Sequence, residues 1–103
     1  MSENHYLNAI CEYLQLRGYF FWRSNNIAIY DPKIKRYRAL PKFAKKGVPD
    51  VILIKEGQFW GLEVKQPKKY LSPDQKQFLL DCESAGGKYF MVRTIEDLQD
   101  LGL

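Results

Sequence analysis

Apolar positions along this chain recur with two different periods, and each run that keeps one period is closed by a recognisable stop. Leu7, Ile10, Cys11 and Leu14 return at helical spacing, and Arg17-Gly18 supplies a cation and a breaker, so an amphipathic helix is expected over residues 3–17. Residues 19–30 are rich in β-formers, as Tyr19-Phe20-Phe21-Trp22 and then Ile27-Ala28-Ile29-Tyr30. They predict one strand interrupted at Ser24-Asn25-Asn26, or a small hairpin, with Trp22 in the core. Residues 31–47 read as an irregular connection, with Asp31-Pro32 as a turn and Pro41 discouraging regular structure. Two apolar runs, 50–55 and 59–66, then predict a hairpin. Ser72-Pro73-Asp74-Gln75 opens a second helix, which carries Phe78, Leu79 and Cys82 and ends at Gly86-Gly87. Tyr89-Phe90-Met91-Val92 is a further strand, and Thr94 caps a short last helix containing Leu98 and Leu101.

The order αβ(β)ββαβα places the chain in the α/β class, as a mixed sheet flanked by helices. The strand after Gln58 and the strand at Tyr89 are joined through a helix, which predicts that they run parallel with a right-handed crossover. A chain of 103 residues is expected to form one domain spanning residues 1–103. Aromatic residues make up 15% of it and nothing is repeated or of low complexity, which excludes a disordered chain. No apolar stretch is long enough to span a membrane, and Met1-Ser2-Glu3-Asn4-His5 lacks a secretory pattern, so a cytoplasmic protein is expected. Cys11 and Cys82 stand at apolar helix positions without CxxC spacing. They read as buried thiols, and one histidine, His5, cannot complete a zinc site with them.

The hairpin carries the chemistry. If Glu56-Gly57 forms a two-residue turn, Asp50 falls directly opposite Glu63. Opposed side chains have Cβ atoms roughly 4.5–5.5 Å apart, close enough to share a cation. A four-residue loop keeps the same pairing. Lys65, two residues beyond Glu63, projects from the same face. An exposed charge pair on a solvated sheet would need polar neighbours. Here Val51, Leu53, Trp60, Leu62 and Val64 line one face, and Ile52, Ile54 and Phe59 the other, as in strands buried within a sheet. Ionised carboxylates in such a setting are costly unless paired or bound to metal. Asp50 and Glu63 supply the hard oxygen ligands that Mg²⁺ prefers, and Lys65 beside them is a charged helper.

The net charge of +4 is compatible with nucleic acid, and its distribution strengthens that reading. Lys33, Lys35, Arg36, Arg38, Lys42, Lys45 and Lys46 crowd into the segment before Asp50, while Lys68 and Lys69 follow Lys65. Both clusters flank the candidate cation site, where a polyanion needs neutralising. Arg23 and Asn25 are further phosphate-contact candidates, and Tyr37 or Tyr70 could stack on a base. The other reading of the clusters is a solvated charged face.

The run Gly47-Val48-Pro49-Asp50, then Glu63-Val64-Lys65, then Leu71-Ser72-Pro73-Asp74-Gln75 resembles the VRR-Nuc (virus-type replication-repair nuclease) family of the PD-(D/E)xK nuclease superfamily, in its stand-alone phage or bacterial form. With Ala85-Gly86-Gly87 and the N-terminal helix, the resemblance covers nearly the whole chain. It implies a restriction-endonuclease-like core and a Mg²⁺- or Mn²⁺-dependent endodeoxyribonuclease hydrolysing phosphodiesters. It further implies a homodimer acting like a Holliday-junction resolvase on branched or four-way DNA, in the cytoplasm of a bacterial or phage-infected cell. The Val64 carbonyl is implied as a third metal ligand. Gln75 is implied as a motif glutamine at the site, although at N3 it can also close a capping box with Ser72. The family also implies an acidic residue at the start of the first helix. At about 100° per residue, Glu3 lies near the Leu7, Ile10 and Leu14 stripe and Glu12 points away from it, while a one-turn phase error would bring His5 there instead. Two other classes compete: a non-catalytic DNA-binding module that kept the fold, and a small protein-interaction domain. The complete Asp50, Glu63 and Lys65 set argues against the first of these, and the basic flanks against the second.

Overall fold

The computed structural model describes residues 2–24, 30–37 and 39–103. Helix α1 spans Glu3–Leu16. The Ser2 hydroxyl caps its start by accepting from the His5 N–H, and Gly18 beyond its end takes the left-handed φ of 78° that stops it. Leu7, Ile10 and Leu14 form its buried stripe, as the spacing requires. Strand β1 (Phe20–Arg23) follows, then two two-residue strands, β2 (Tyr30–Asp31) and β3 (Arg36–Tyr37), which pair only with each other. The hairpin is β4 (Val51–Lys55) and β5 (Gln58–Val64), and α2 (Pro73–Ser84), β6 (Lys88–Val92) and α3 (Ile95–Asp100) complete the chain.

The main sheet has the order β1-β4-β5-β6, with β1 antiparallel to β4, β4 antiparallel to β5, and β5 parallel to β6. A mixed sheet flanked by helices is what the order of periods predicts. The hairpin register is the expected one: Val51 pairs with Leu62 and Lys55 with Gln58. Glu56 and Gly57 make the two-residue turn with φ of 54° and 75°, both positive as a type I′ turn needs. Tertiary pairing holds a glutamate there although Asn or Asp would sit at lower cost.

The two faces of the sheet differ. Val51, Leu53, Trp60, Leu62, Val64 and Val92 point into the core, which α1 and α3 cover with Leu7, Ile10, Leu14 and Leu98. The opposite face bears Ile52, Ile54, Phe59, Gly61, Glu63 and Tyr89. There α2 lies over β6, and Phe78 packs against Tyr89 with ring centroids 5.7 Å apart. On the β1 side of that face Phe20 and Trp22 are exposed.

Three expectations are corrected. Trp22 is not in the core: it is 44% exposed, because β1 is an edge strand and Trp22 points to the face that α2 leaves open. The connection before Asp50 is not wholly irregular, since β2 and β3 form a small hairpin in which the Asp31 carboxylate accepts from the Lys33 N–H at 2.9 Å. Tyr30 therefore belongs to that hairpin and not to a continuation of β1, while Asn25 to Ile29 lie outside the described residues. Cys11 and Cys82 are free thiols but only partly buried.

Gly47 joins the segment before β4 to the start of α2. Its φ is 75°, and an added Cβ would lie 2.6 Å from the Asp74 carbonyl carbon and 2.8 Å from the Gln75 nitrogen. Gly47→Ala is therefore expected to cost about 2–4 kcal/mol, combining a left-handed φ with overpacking. Gly57→Ala, whose methyl meets nothing within 4 Å, should cost about 1 kcal/mol for its φ alone. Thermal denaturation of both variants checks this, and equal losses would contradict the close packing at Gly47.

Candidate active site

Glu63 is the next-to-last residue of β5 and only 3% exposed, the one buried acid among the described residues. Its carboxylate is held from three sides. The Asp50 N–H donates to Oε2 at 3.2 Å, the Gln75 side-chain Nε2 donates to Oε1 at 3.0 Å, and Lys65 Nζ lies 3.8 Å from Oε1. Asp50 returns the contact across the hairpin, its Oδ2 accepting from the Val64 N–H at 2.9 Å. Side chain and backbone thus interlock the two strands where β4 begins and β5 ends.

Each partner is placed by local structure. The backbone of Asp50 is fixed from the β1 side, where the Ser24 N–H donates to the Asp50 carbonyl at 2.9 Å and the Ser24 hydroxyl donates to the Pro49 carbonyl. The Pro49 ring sits over Gly61, where a Cβ would lie 2.6 Å from Pro49 Cγ. Lys65 keeps strand geometry beyond β5 because its N–H donates to the Val92 carbonyl at 3.0 Å, so its side chain emerges on the face of Glu63. Gln75 serves both of the roles open to it. Its Oε1 accepts from the Ser72 N–H at 2.8 Å and the Ser72 hydroxyl accepts from the Gln75 N–H, a complete capping box. With the carbonyl end of the amide committed to the cap, the Nε2 end is turned toward Glu63.

Glu3 comes from the other side of the sheet. It is exposed in the first turn of α1, yet one of its carboxylate oxygens lies with one each from Asp50 and Glu63, all within 4.8 Å of one another. Neither His5 nor Glu12 belongs to that group. The His5 ring instead packs edge-on against Tyr6.

Electrostatics makes the cluster costly without a cation. Burial, followed by the negative charge of Asp50, pushes the Glu63 carboxyl up to about 8, with Lys65 opposing only in part. Tyr89, which the sequence showed only as a strand residue, is a further member. It is 4% exposed, its hydroxyl donates to the Gly47 carbonyl at 3.4 Å, and burial, then Glu63 and Asp50, hold it protonated far above the ordinary phenol range. Its place follows from the parallel register that sets Tyr89 beside Gly61, which no local pattern encodes. Cys11 is near enough to feel Arg23 and Asp50, while burial raises its thiol.

Most of the candidate DNA-contact residues are at the surface. Lys35, Arg36, Lys42, Lys45, Lys46, Lys68 and Lys69 are exposed, as is Arg23 at the end of β1; Arg38 lies outside the described residues. Lys45 and Lys46 lead into Gly47, and Lys68 and Lys69 follow the site strand. Of the two candidate stacking residues, Tyr70 is 70% exposed but already has the Arg93 guanidinium 5.1 Å from its ring centre. A depression of about 280 Å³ between α1 and the start of α3 is lined by none of the three carboxylates.

A mixed sheet with helices on both faces, bearing carboxylates and a lysine where two adjacent strands meet, is the layout of a PD-(D/E)xK-type nuclease core. The VRR-NUC domain model matches residues 1–94 of the 103, and the chain belongs to that family. Membership gives it a nuclease-type function with DNA as substrate. No curated protein matches the chain by sequence.

The donor set fits a divalent cation. Three carboxylates supply the hard oxygens that Mg²⁺ or Mn²⁺ takes, and the raised Glu63 marks a site where negative charge is under-compensated. A pH dependence follows. Glu63 is raised above its value of 4.5, so the folded chain holds a proton that the unfolded chain releases. Its stabilisation is complete below about pH 4.5 and is lost as pH rises through about 8. In EDTA the melting temperature should fall across that interval, and excess Mg²⁺ or Mn²⁺ should restore it at the alkaline end. Glu63→Gln should flatten both effects in thermal melts, and a Gln variant with the wild-type slope would contradict the assignment.

Proposed function

We propose that the chain is a divalent-metal-dependent endonuclease that hydrolyses phosphodiester bonds in branched DNA, four-way junctions included. Residues 1–103 act in it as one nuclease domain. The observation that carries this reading is the convergence of Glu3, Asp50 and Glu63 beside Lys65. A domain that only bound DNA would gain nothing from three carboxylates turned toward phosphates, and a protein-interaction domain would have no use for the basic flanks.

In this reading Asp50, Glu63 and the Val64 carbonyl hold the cation, with Glu3 completing the site from α1. A divalent cation held there would supply Lewis-acid polarisation of the scissile phosphate and would lower the pKa of attacking water. Lys65, only partly exposed and held near Glu63, orients that water and stabilises negative charge developing on the phosphorane. Gln75 keeps the Glu63 carboxylate in one orientation, and Tyr89, protonated throughout, holds the Gly47 loop against the site. Arg23, Lys35, Arg36, Arg38, Lys42, Lys45, Lys46, Lys68 and Lys69 neutralise the DNA backbone on either side. A domain of this size carries one such site, and a four-way junction needs two opposed nicks. A two-fold homodimer supplies both.

Supercoiled plasmid incubated with and without Mg²⁺ tests the reaction. Nicking that appears only with the cation is expected, and its absence under both conditions would return the chain to the DNA-binding class. Lys65→Ala should abolish cleavage while Mn²⁺ binding and junction affinity stay close to wild type. Glu3→Gln should lower the rate at least about tenfold, each factor of ten corresponding to 1.4 kcal/mol of barrier, and Glu12→Gln should not. Wild-type rates in Lys65→Ala would remove its catalytic role. The reverse pattern in the glutamates would show that α1 presents a different face.

Lys45→Ala with Lys46→Ala should weaken binding to every DNA tested. Each lost phosphate contact should also lower the log–log salt slope by roughly one unit. An unchanged slope would move the DNA track toward Lys68 and Lys69.

A further inference from the structure

Two large aromatic side chains stand exposed on the site face of the sheet. Phe20 is 69% and Trp22 is 44% exposed, and their rings contact each other with centroids 5.8 Å apart. Both lie on edge strand β1, where Phe20 pairs with Ile54 and Trp22 with Ile52. Opposed residues share a face, and Ile52 is two residues from Asp50, so Trp22 projects from the same face as the carboxylates. Ser24, the residue just after β1, is bonded to the Asp50 backbone. Trp22 is thus the diagonal neighbour of Asp50, at a Cβ separation of roughly 7–8 Å. That distance is close to the spacing of successive phosphates along a strand.

We propose that Trp22, backed by Phe20, is a stacking platform for an unpaired base one nucleotide from the scissile phosphate. The inference rests on the reading of the carboxylate cluster as the cleavage site. A phosphate over Asp50 and Glu63 places the neighbouring base above the β1 edge, where the local surface is aromatic and apolar. Bases in continuous duplex are already stacked on each other and gain little from the platform, whereas bases splayed at a branch point gain a partner. The platform thereby gives the site a preference for branched over uninterrupted DNA. A second copy of the chain is the competing occupant. A four-residue edge strand offers far less than the roughly 800 Å² per partner that a stable interface needs, and a copy seated there would block the carboxylates from DNA.

The test uses the full chain, with Ca²⁺ in place of Mg²⁺ to suppress cleavage, and four-way junctions carrying 2-aminopurine at successive positions around the branch. Binding should quench fluorescence at one position beside the branch in the wild type, and the quench should vanish in Trp22→Ala. The ratio of junction to continuous-duplex affinity should fall roughly 5- to 100-fold in Trp22→Ala, the range for one base–aromatic stack, and Trp22→Phe should recover most of it. Thermal melting confirms that the exposed substitution leaves the fold intact, and light scattering compares the mass of each variant. An unchanged affinity ratio, or an unquenched probe at every position, overturns the platform. A mass that drops in Trp22→Ala assigns the patch to self-association and overturns it as well. These readouts are of binding, so an inactive chain that still quenches the probe would sink the nuclease reading and spare the platform.

Discussion

The structure turns on a single buried carboxylate. Glu63, next to last in the inner strand β5, is almost without solvent, and an ionised group there is tolerated only when its neighbours answer it. Those answers come from three segments: the Asp50 N–H just before β4, the Gln75 amide in the first turn of α2, and the Lys65 ammonium after β5. Remove the requirement to satisfy Glu63 and there is no evident reason for a capping-box glutamine to face the sheet, or for Gly47 to press against the helix that carries it.

This arrangement also separates the two faces of the sheet by task. The face under α1 and α3 is packed with aliphatic side chains, and it gives the domain its rigidity. The face under α2 is only half covered, and there the chain keeps its carboxylates, its lysine and its exposed aromatics. Paired strands hold Asp50, Glu63 and Lys65 in register, while the basic residues sit mainly on loops and strand ends. Function is concentrated where burial is incomplete, which is the usual division between a scaffold and its site.

Much of this was legible because the site lies on a hairpin. Strand alternation and a two-residue turn fix which residues oppose each other, so Asp50, Glu63 and Lys65 could be placed together from spacing alone. Ser72-Pro73-Asp74-Gln75 likewise announced a capped helix, and helical phase favoured Glu3 over Glu12 for the α1 carboxylate that stands near the pair. What escaped depends on non-local pairing. Tyr89 joins the site only through the parallel register of β5 and β6, which loop length does not specify. A large aromatic such as Trp22 in a β-rich run reads as core. Its exposure follows from β1 being an edge strand and from α2 lying over the far side of the sheet, two facts of topology that no window of sequence contains. The β2–β3 hairpin was missed because two-residue strands have no periodicity to detect.

We propose that Glu3, Asp50 and Glu63 form a cation site in which burial and the Asp50 charge raise the Glu63 carboxyl until a cation compensates it. Calorimetric titration of Mn²⁺ into the metal-free chain at pH 7, repeated in buffers of different ionisation enthalpy, reads affinity and proton release together. The account predicts one saturable site whose occupation releases close to one proton, with both signals lost in Asp50→Asn. Absence of saturable binding, or binding with no proton released, would contradict it.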